Sequence, residues 1–421
     1  MKNISRISND EIGSVMTLLP VDIIHNILTK LPVKSLLRFK SVCKDWYNLI
    51  TSSNFINIHL KHTLESHDFF VVVDRTTTIS DGNIQTTWFY TYLDALNYTS
   101  GKRMEMETFK TCCDIVGSSN GLICLKLLGS GFLMCNPVTR EYSRLIKSPS
   151  LPCVPLSDVY CAGFGYDVVS HGYKIVNIEF RETELLYNCI VQVYSTGSNS
   201  WKEDPKNLDS VQICFYPRKC VVINNKLHWS ISKYNTRPRT KSILIFDLHT
   251  EEFGEILYPT RLQTSDRLEL MVSRGHLCTL ATHWSTNWSS SDQCNVSMWV
   301  MKEYGVVESW TKLYEFVGDF RIITHLSRRD REEVLLLRYD NDQNEELVWY
   351  NLENKTIIGK AKDPETEKYA GNGWLCIASL APIPGNDPNK RGTDLAMIED
   401  IKKDVALANK PMQEDDTDGW I

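Results

Sequence analysis

The sequence predicts a small all-α N-terminal unit of three short helices followed by an all-β propeller of six to seven blades. Three observations carry this reading. Of the 33 residues from Leu18 to Ile50, 18 are hydrophobic, against 42% for the whole 421-residue chain, and they recur with helical spacing. After residue 60 that spacing gives way to short runs rich in Val, Ile, Tyr, Phe and Trp. Within the β region a degenerate strand–turn–strand unit returns about every 45–50 residues, the signature of propeller blades.

The helices are read in order. Pro20 suits the first turn of a helix, where a missing N–H costs nothing. Ile23, Ile24, Ile27, Leu28 and Leu31 then form one broad apolar face, and Pro32 ends the helix. A second short helix carries Leu36, Leu37 and Phe39. Ser41 is the predicted N-cap of a third, with Val42, Cys43, Trp46, Leu49 and Ile50 on its buried side. Lys30, Lys34, Arg38, Lys40 and Lys44 outnumber Asp22 and Asp45, so the unit is locally basic. A segment this short and this apolar is not satisfied by its own core.

Strands are predicted at Phe69–Val73, Tyr173–Val176, Ile190–Tyr194 and Ser242–Phe246, with Gly, Asn, Asp, Ser and Thr clusters between them. One half of the repeat has a polar residue, a turn residue three later and an aromatic or apolar residue six later. It stands at Asn136, Thr139, Tyr142; at Ser195, Ser198, Trp201; at Asp247, Thr250, Phe253; and weakly at Asn351, Asn354, Ile357. Tyr304, Val307 and Trp310 keep only the spacing. The other half is an Asn- or Gly-marked turn entering an apolar strand, at Asn120-Gly121, Asn225-Lys226 and Gly275-His276. These place units at 69–107, 115–147, 161–203, 220–257, 270–316 and 320–361. The last strand signal, Trp374–Leu380, is placed to close the ring against Phe69–Val73. Residues 1–17 are expected to be a flexible N-terminus. Residues 386–421, with nine acidic and five basic residues, are expected to be a mostly disordered acidic tail, in which Leu395, Ile398, Ile401 and Val405 have the spacing of one amphipathic helix.

Bulk composition narrows the function classes. A net charge of −6 gives no electrostatic case for nucleic acid as the main partner. No apolar run approaches the ~20 residues that span a bilayer, and Met1–Thr17 lacks an apolar signal core, so a cytoplasmic or nuclear location is expected. Thirteen Cys without any Cys-x-x-Cys pair argue against a zinc site and a disulfide framework; neither metal nor cofactor is expected.

The segment Leu19-Pro20 through Ile23-Ile24, Ile27-Leu28, Leu31-Pro32-Val33-Lys34-Ser35-Leu36-Leu37-Arg38-Phe39 and Val42-Cys43-Lys44-Asp45-Trp46 resembles an F-box, over residues 18–60. The region 61–385 resembles the F-box-associated, kelch-like propeller of plant F-box proteins. The resemblance rests on Asp114–Cys124, Cys135–Arg140, Gly163–Asp167 and Tyr173–Val176. The segment Met298–Thr311 resembles the S-locus and S-locus-like F-box group, although Cys376 and Ala378 depart from that group's pattern.

The resemblance implies docking of a Skp-type adaptor and, through it, a cullin and a RING protein, with the propeller holding a protein substrate for ubiquitination. S-locus membership would imply an S-RNase as substrate in pollen self-incompatibility. Leu19, Pro20, Ile23, Ile27, Leu31, Pro32, Leu36, Leu37, Val42 and Trp46 are the candidate adaptor contacts, some of them shared with the unit's own core. Trp284 and Trp288, in a polar loop, are the candidate target contacts. The rival readings are an F-box receptor for other targets, such as immune receptors, and a propeller hydrolase.

Other motifs lead nowhere catalytic. Gly117-Ser118-Ser119-Asn120-Gly121 matches a nucleophile elbow in letters, but Leu122–Leu125 reads as a strand where a helix is required. Gly163-Phe164-Gly165 lacks the third glycine of a dinucleotide site and reads as a tight blade turn. His59, His62 and His67 read as polar positions where the helical unit meets the propeller.

Overall fold

A computed structural model describes residues 20–385 except 67–68, 81–82, 95–98, 101–103, 110–112, 128–130, 150–159, 183–186, 205–212, 234–239, 264–266, 284–294, 318–319, 329–330, 340–344 and 362–373. Two prolines punctuate the first helices. Pro20 stands at the N-cap of α1 (Val21–Thr29), one residue before the helix, and Pro32 at the N-cap of α2 (Val33–Phe39). Pro32 therefore both stops α1 and starts α2, as a residue with fixed φ and no N–H can.

The third helix begins later than the sequence suggests. In α3 (Lys44–Thr51) the N-cap is Cys43, while the Ser41 hydroxyl donates to the Arg38 carbonyl at 2.7 Å and closes α2 instead. A fourth helix, α4 (Ser53–Ser66), continues past the expected end of the unit. Its buried residues are Phe55, His59 and Thr63, so two of three inward positions are polar and the helical spacing is masked.

His59 is a core residue, not a junction residue. Its Nε2 lies 2.9 Å from the Leu31 carbonyl, which can only accept, so Nε2 carries the proton. The ring stacks on Phe55, and burial lowers its pKa. His67 lies outside the described residues.

Among the described residues the β region forms six antiparallel sheets, one per blade of a six-blade propeller. Blade 2 runs from Cys113–Ser119 to Ile146–Lys147, blade 3 from Tyr160–Asp167 to Ser200–Asp204, and blade 4 from Ile213–Ile223 to Phe253–Leu257. Blade 5 runs from Arg267–Ser273 to Trp310–Val317 and blade 6 from Phe320–Arg328 to Thr356–Ala361. Blade 1 is composite: Phe69–Ser80, Asn83–Asp94, Thr99–Ser100 and Met104–Phe109 are joined by Trp374–Ile377 from the far end of the chain. Phe70 pairs with Ile377 and Val73 with Trp374, so the ring closes where the sequence places the closure. The closing strand is the innermost of blade 1 and neighbours the inner strands of blades 6 and 2.

The repeat has a geometric cause. Between the first and second strands of blades 2, 4 and 5 sit two-residue turns with both φ positive: Asn120-Gly121, Asn224-Asn225 and Arg274-Gly275. Between the third and fourth strands, the side-chain oxygen of the first repeat residue accepts backbone N–H groups. Asn136 takes Val138 and Thr139, Asp247 takes His249 and Thr250, Asn351 takes Asn354, and Ser195 takes Gly197. The fifth residue is then left-handed: Arg140, Asn199, Glu251 and Lys355 have φ of 59°, 50°, 58° and 54°.

Gly163 and Gly165 are not a turn. They lie inside the strand Tyr160–Asp167, on the face toward blade 4. A Cβ at 163 would sit 2.5 Å from Trp229 Cζ2, and one at 165 would sit 2.8 Å from Leu248 Cδ1. The glycines make room for Trp229, which is buried and donates to the Ala162 carbonyl at 3.1 Å.

At the same seam Asn225 accepts the Val168 N–H and donates to Asp167. Burial opposes the Asp167 charge, but hydrogen bonds from Ser170, Asn225 and Val169, with Lys174 nearby, hold its pKa down to about 2.

After the closing strand the chain continues as a strap over blade 2. Asn136 Nδ2 donates to the carbonyls of Ser379 at 3.1 Å and Ala381 at 2.9 Å. Ala378 and Leu380 enter a core shared with blades 1 and 2 and with the helical unit, while Ala381 and Ile383 enter the core between blades 2 and 3.

Candidate adaptor-docking surface

The helical unit turns one set of apolar residues inward and leaves another uncovered. Leu28, Val33, Leu36, Ile50 and Phe55 are buried in one core. On α1, Val21, Ile23 and Ile27 are 70%, 48% and 51% exposed, and Val42 between α2 and α3 is 57% exposed. Ile23 and Ile27 are one turn apart and present a continuous stripe. Single exposed apolar residues need no explanation, but several in one small unit make it a candidate interaction surface.

The ten expected contacts divide accordingly. Pro20, Ile23, Ile27 and Val42 are exposed. Leu31, Pro32, Leu37 and Trp46 are half-buried at the edge of the core. Leu36 is 0% exposed and belongs to the core alone, so its side chain is withdrawn from any partner. Leu19 lies outside the described residues, as do Trp284 and Trp288. The sequence reading missed Val21, whose signal is its place in the first turn next to Asp22 rather than on the main apolar face.

Two further features belong to this surface. Trp46 packs edge-on against Phe39, with ring centroids 5.3 Å apart. Its Nε1–H is buried and meets no acceptor among the described residues. Lys30, Lys34, Arg38 and Lys44 of the helical unit are exposed and make no ion pair among the described residues, and Asp22 and Asp45 are exposed as well.

Nucleophile chemistry is not built at Ser119. Cys113–Ser119, the turn Asn120-Gly121 and Leu122–Leu127 form a hairpin, and the Ser119 hydroxyl accepts the Tyr166 N–H at 3.2 Å. Among the described residues no group of three His, Cys, Asp or Glu could hold a metal, and no helix is long and apolar enough to cross a membrane.

Comparison with known proteins matches both regions. A family model for the F-box domain covers residues 16–57, and one for the F-box associated beta propeller domain covers residues 82–379. F-box protein CPR1 of Arabidopsis thaliana is 31% identical over 367 residues, 81% of this chain and 84% of that protein. F-box protein At4g22390 of the same organism is 27% identical over 359 residues, 80% of this chain and 84% of that protein. A solved ulvan lyase of polysaccharide lyase family PL25 overlays with a TM-score of 0.39 at 10% identity, over 67% of this chain and 79% of that one, and carries no argument.

Proposed function

The chain belongs to the F-box proteins that carry an F-box associated β-propeller, and on that premise we propose that it is the substrate-recognition subunit of a Skp–cullin–F-box ubiquitin ligase. The observation that carries the proposal is the exposure of the apolar residues Val21, Ile23, Ile27 and Val42 in the unit that the F-box family model matches. A Skp-type adaptor would bury those residues and bring the cullin and RING protein with it. Burying about 800 Å² per partner is what a stable interface of this kind requires. The chain itself performs no chemistry in this scheme; it holds a protein substrate while a charged conjugating enzyme reaches the substrate's lysines. Such work is expected in the cytoplasm or nucleus.

For the substrate, the segment Met298–Thr311 supports a style ribonuclease of the S-locus system. Its loop is rigidly built: Ser309 Oγ bonds the carbonyls of Glu303 and Val306, and Tyr304 Oη lies 2.7 Å from His228 Nε2. A second reading is a receptor for other targets, such as immune receptors; the relatives named above are F-box proteins.

Co-expression with a plant Skp-type adaptor tests the main proposal. One complex of defined stoichiometry in gel filtration is expected, and separate elution of the two proteins refutes it. Pull-down of style ribonucleases against immune-receptor domains then separates the two substrate readings.

A further inference from the structure

We infer that the propeller holds its protein substrate at the end of the ring formed by the tight turns, between two loops that flank blade 4: 168–171 of blade 3 and 302–309 of blade 5. The occupant is a substrate segment with two apolar anchors on either side of a polar stretch. The inference rests on the substrate-receptor reading above and names the surface used.

The regular blades show what the fold itself requires. In an antiparallel meander the first-to-second and third-to-fourth connections of every blade lie at one end of the ring. The first kind closes in two residues at 120–121, 224–225 and 274–275, yet blade 3 uses 168–171. The second kind closes in four at 137–140, 196–199, 248–251 and 352–355, yet blade 5 uses 302–309.

Exposure follows the same division. Val138, Leu248 and Leu352, in the regular connections, pack into the cores. In the two longer loops Val168 and Val169 are more than half exposed, and Tyr304 and Val306 more than a third. The other exposed large apolar residues of the described propeller, Leu257, Leu313, Ile357 and Ile358, lie on outer strands. Apolar side chains displayed on loops that a rigid scaffold positions are binding anchors.

Both loops are fastened. The Val168 N–H donates to Asn225 Oδ1 of blade 4 at 3.0 Å, and the buried Asp167 accepts the Val169 N–H at 3.0 Å and the Ser170 hydroxyl at 2.7 Å. On the other side Tyr304 meets His228 of blade 4 edge to face, with ring centroids 5.8 Å apart. Loops already ordered lose little freedom when a partner binds. Between them blade 4 carries the ion pair Lys226–Asp247 at 2.7 Å, whose balanced charge suits a polar stretch of little net charge.

The helical unit joins the ring at this same end. Helix α4 leads to the strand Phe69–Ser80, whose Phe70 pairs with Ile377, and a Cβ at Gly121 would lie 2.8 Å from the Ile377 carbonyl oxygen. A segment held between the two loops is therefore on the side of the ring that carries the helical unit, which fits a substrate as the occupant.

The test uses a phage library of random linear peptides selected on the full-length chain. Enriched peptides are titrated by fluorescence anisotropy into wild type, a Val168→Ser, Val169→Ser variant, a Val306→Ser variant, and a Leu257→Ser, Leu313→Ser control. They are expected to carry two apolar residues separated by polar ones, to bind each loop variant at least about tenfold more weakly, and to bind the control as they bind wild type. The replaced side chains are all exposed, so unchanged melting temperatures are expected. Peptides whose affinity either loop variant leaves unchanged overturn the inference, and so does a selection without enrichment. Failure of the chain to bind a Skp-type adaptor would instead refute the ligase reading, and the peptide titrations would still decide whether the two loops form a binding surface.

Discussion

Asn136 and Ser379 are 243 residues apart in the chain and joined by a 3.1 Å hydrogen bond from the Asn136 side-chain amide to the Ser379 carbonyl. The same amide reaches the Ala381 carbonyl, while the Asn136 oxygen caps the turn of its own hairpin. One buried side chain therefore ties a blade turn to the end of the ring. Asn136→Ala is expected to destabilise the propeller by about 2–4 kcal/mol, because it leaves buried carbonyls and N–H groups without partners. Urea unfolding followed by Trp fluorescence reads this as a lowered midpoint. Deleting residues 374–380 removes the closing strand itself, and an aggregated product is expected; a soluble, cooperatively folding deletion would contradict the closure.

Gly121 and Gly275 separate strain from crowding. Both have positive φ, +82° and +71°, but a Cβ at 121 would lie 2.2 Å from Ser379 Cβ, while a Cβ at 275 meets nothing within 4 Å. Gly275→Ala is expected to cost about 1–2 kcal/mol from backbone strain alone. Gly121→Ala is expected to cost about 3 kcal/mol or more, because the strap must also shift. Equal losses in melting temperature would show that the strap is not packed on this turn.

His228 sets a pH dependence. Its Nδ1 lies 3.1 Å from the Lys226 carbonyl and so carries the proton, leaving Nε2 to accept from the Tyr304 hydroxyl at 2.7 Å. Burial, opposed by backbone hydrogen bonds, lowers its pKa to about 4. Between about pH 4 and 6.5 the unfolded chain binds the proton and the folded chain does not, so this contribution is complete above about 6.5 and is lost as pH falls toward 4. The loss amounts to about 3 kcal/mol. His228→Gln is expected to flatten that part of the stability–pH curve, measured by denaturation at pH 7.5 and pH 5. An unchanged slope would remove His228 as its source.

Much of the ring was legible because turn chemistry is local. Asn136, Asp247 and Asn351 announce their hairpins through side chains that cap them. The left-handed residues after them are Arg, Glu and Lys, which the hairpin forces into that conformation, so no residue type betrays them. Blade 1 resisted counting because it is assembled from both ends of the chain. Gly163 and Gly165 misread as a turn because glycine for close packing and glycine for positive φ look alike in a sequence. On α2, Leu36 and Leu37 are neighbours of equal apolarity. Only the packing of α2 against the core shows that Leu36 points inward.

The proposed docking face also separates binding from stability. Ile23 and Ile27 are about half exposed, so replacing them with Glu is expected to leave the melting temperature within about 2 °C of wild type. Leu36→Ala, in the core, is expected to lower stability by about 2–5 kcal/mol.

The most direct measurement is calorimetric titration of a Skp-type adaptor into the wild-type chain and into the Ile23→Glu, Ile27→Glu double variant. Wild type is expected to bind, and the folded double variant is expected to lose at least about a hundredfold in affinity, as hot-spot residues at the centre of an interface do. Undiminished binding by the double variant would contradict the assignment of this face as the adaptor site.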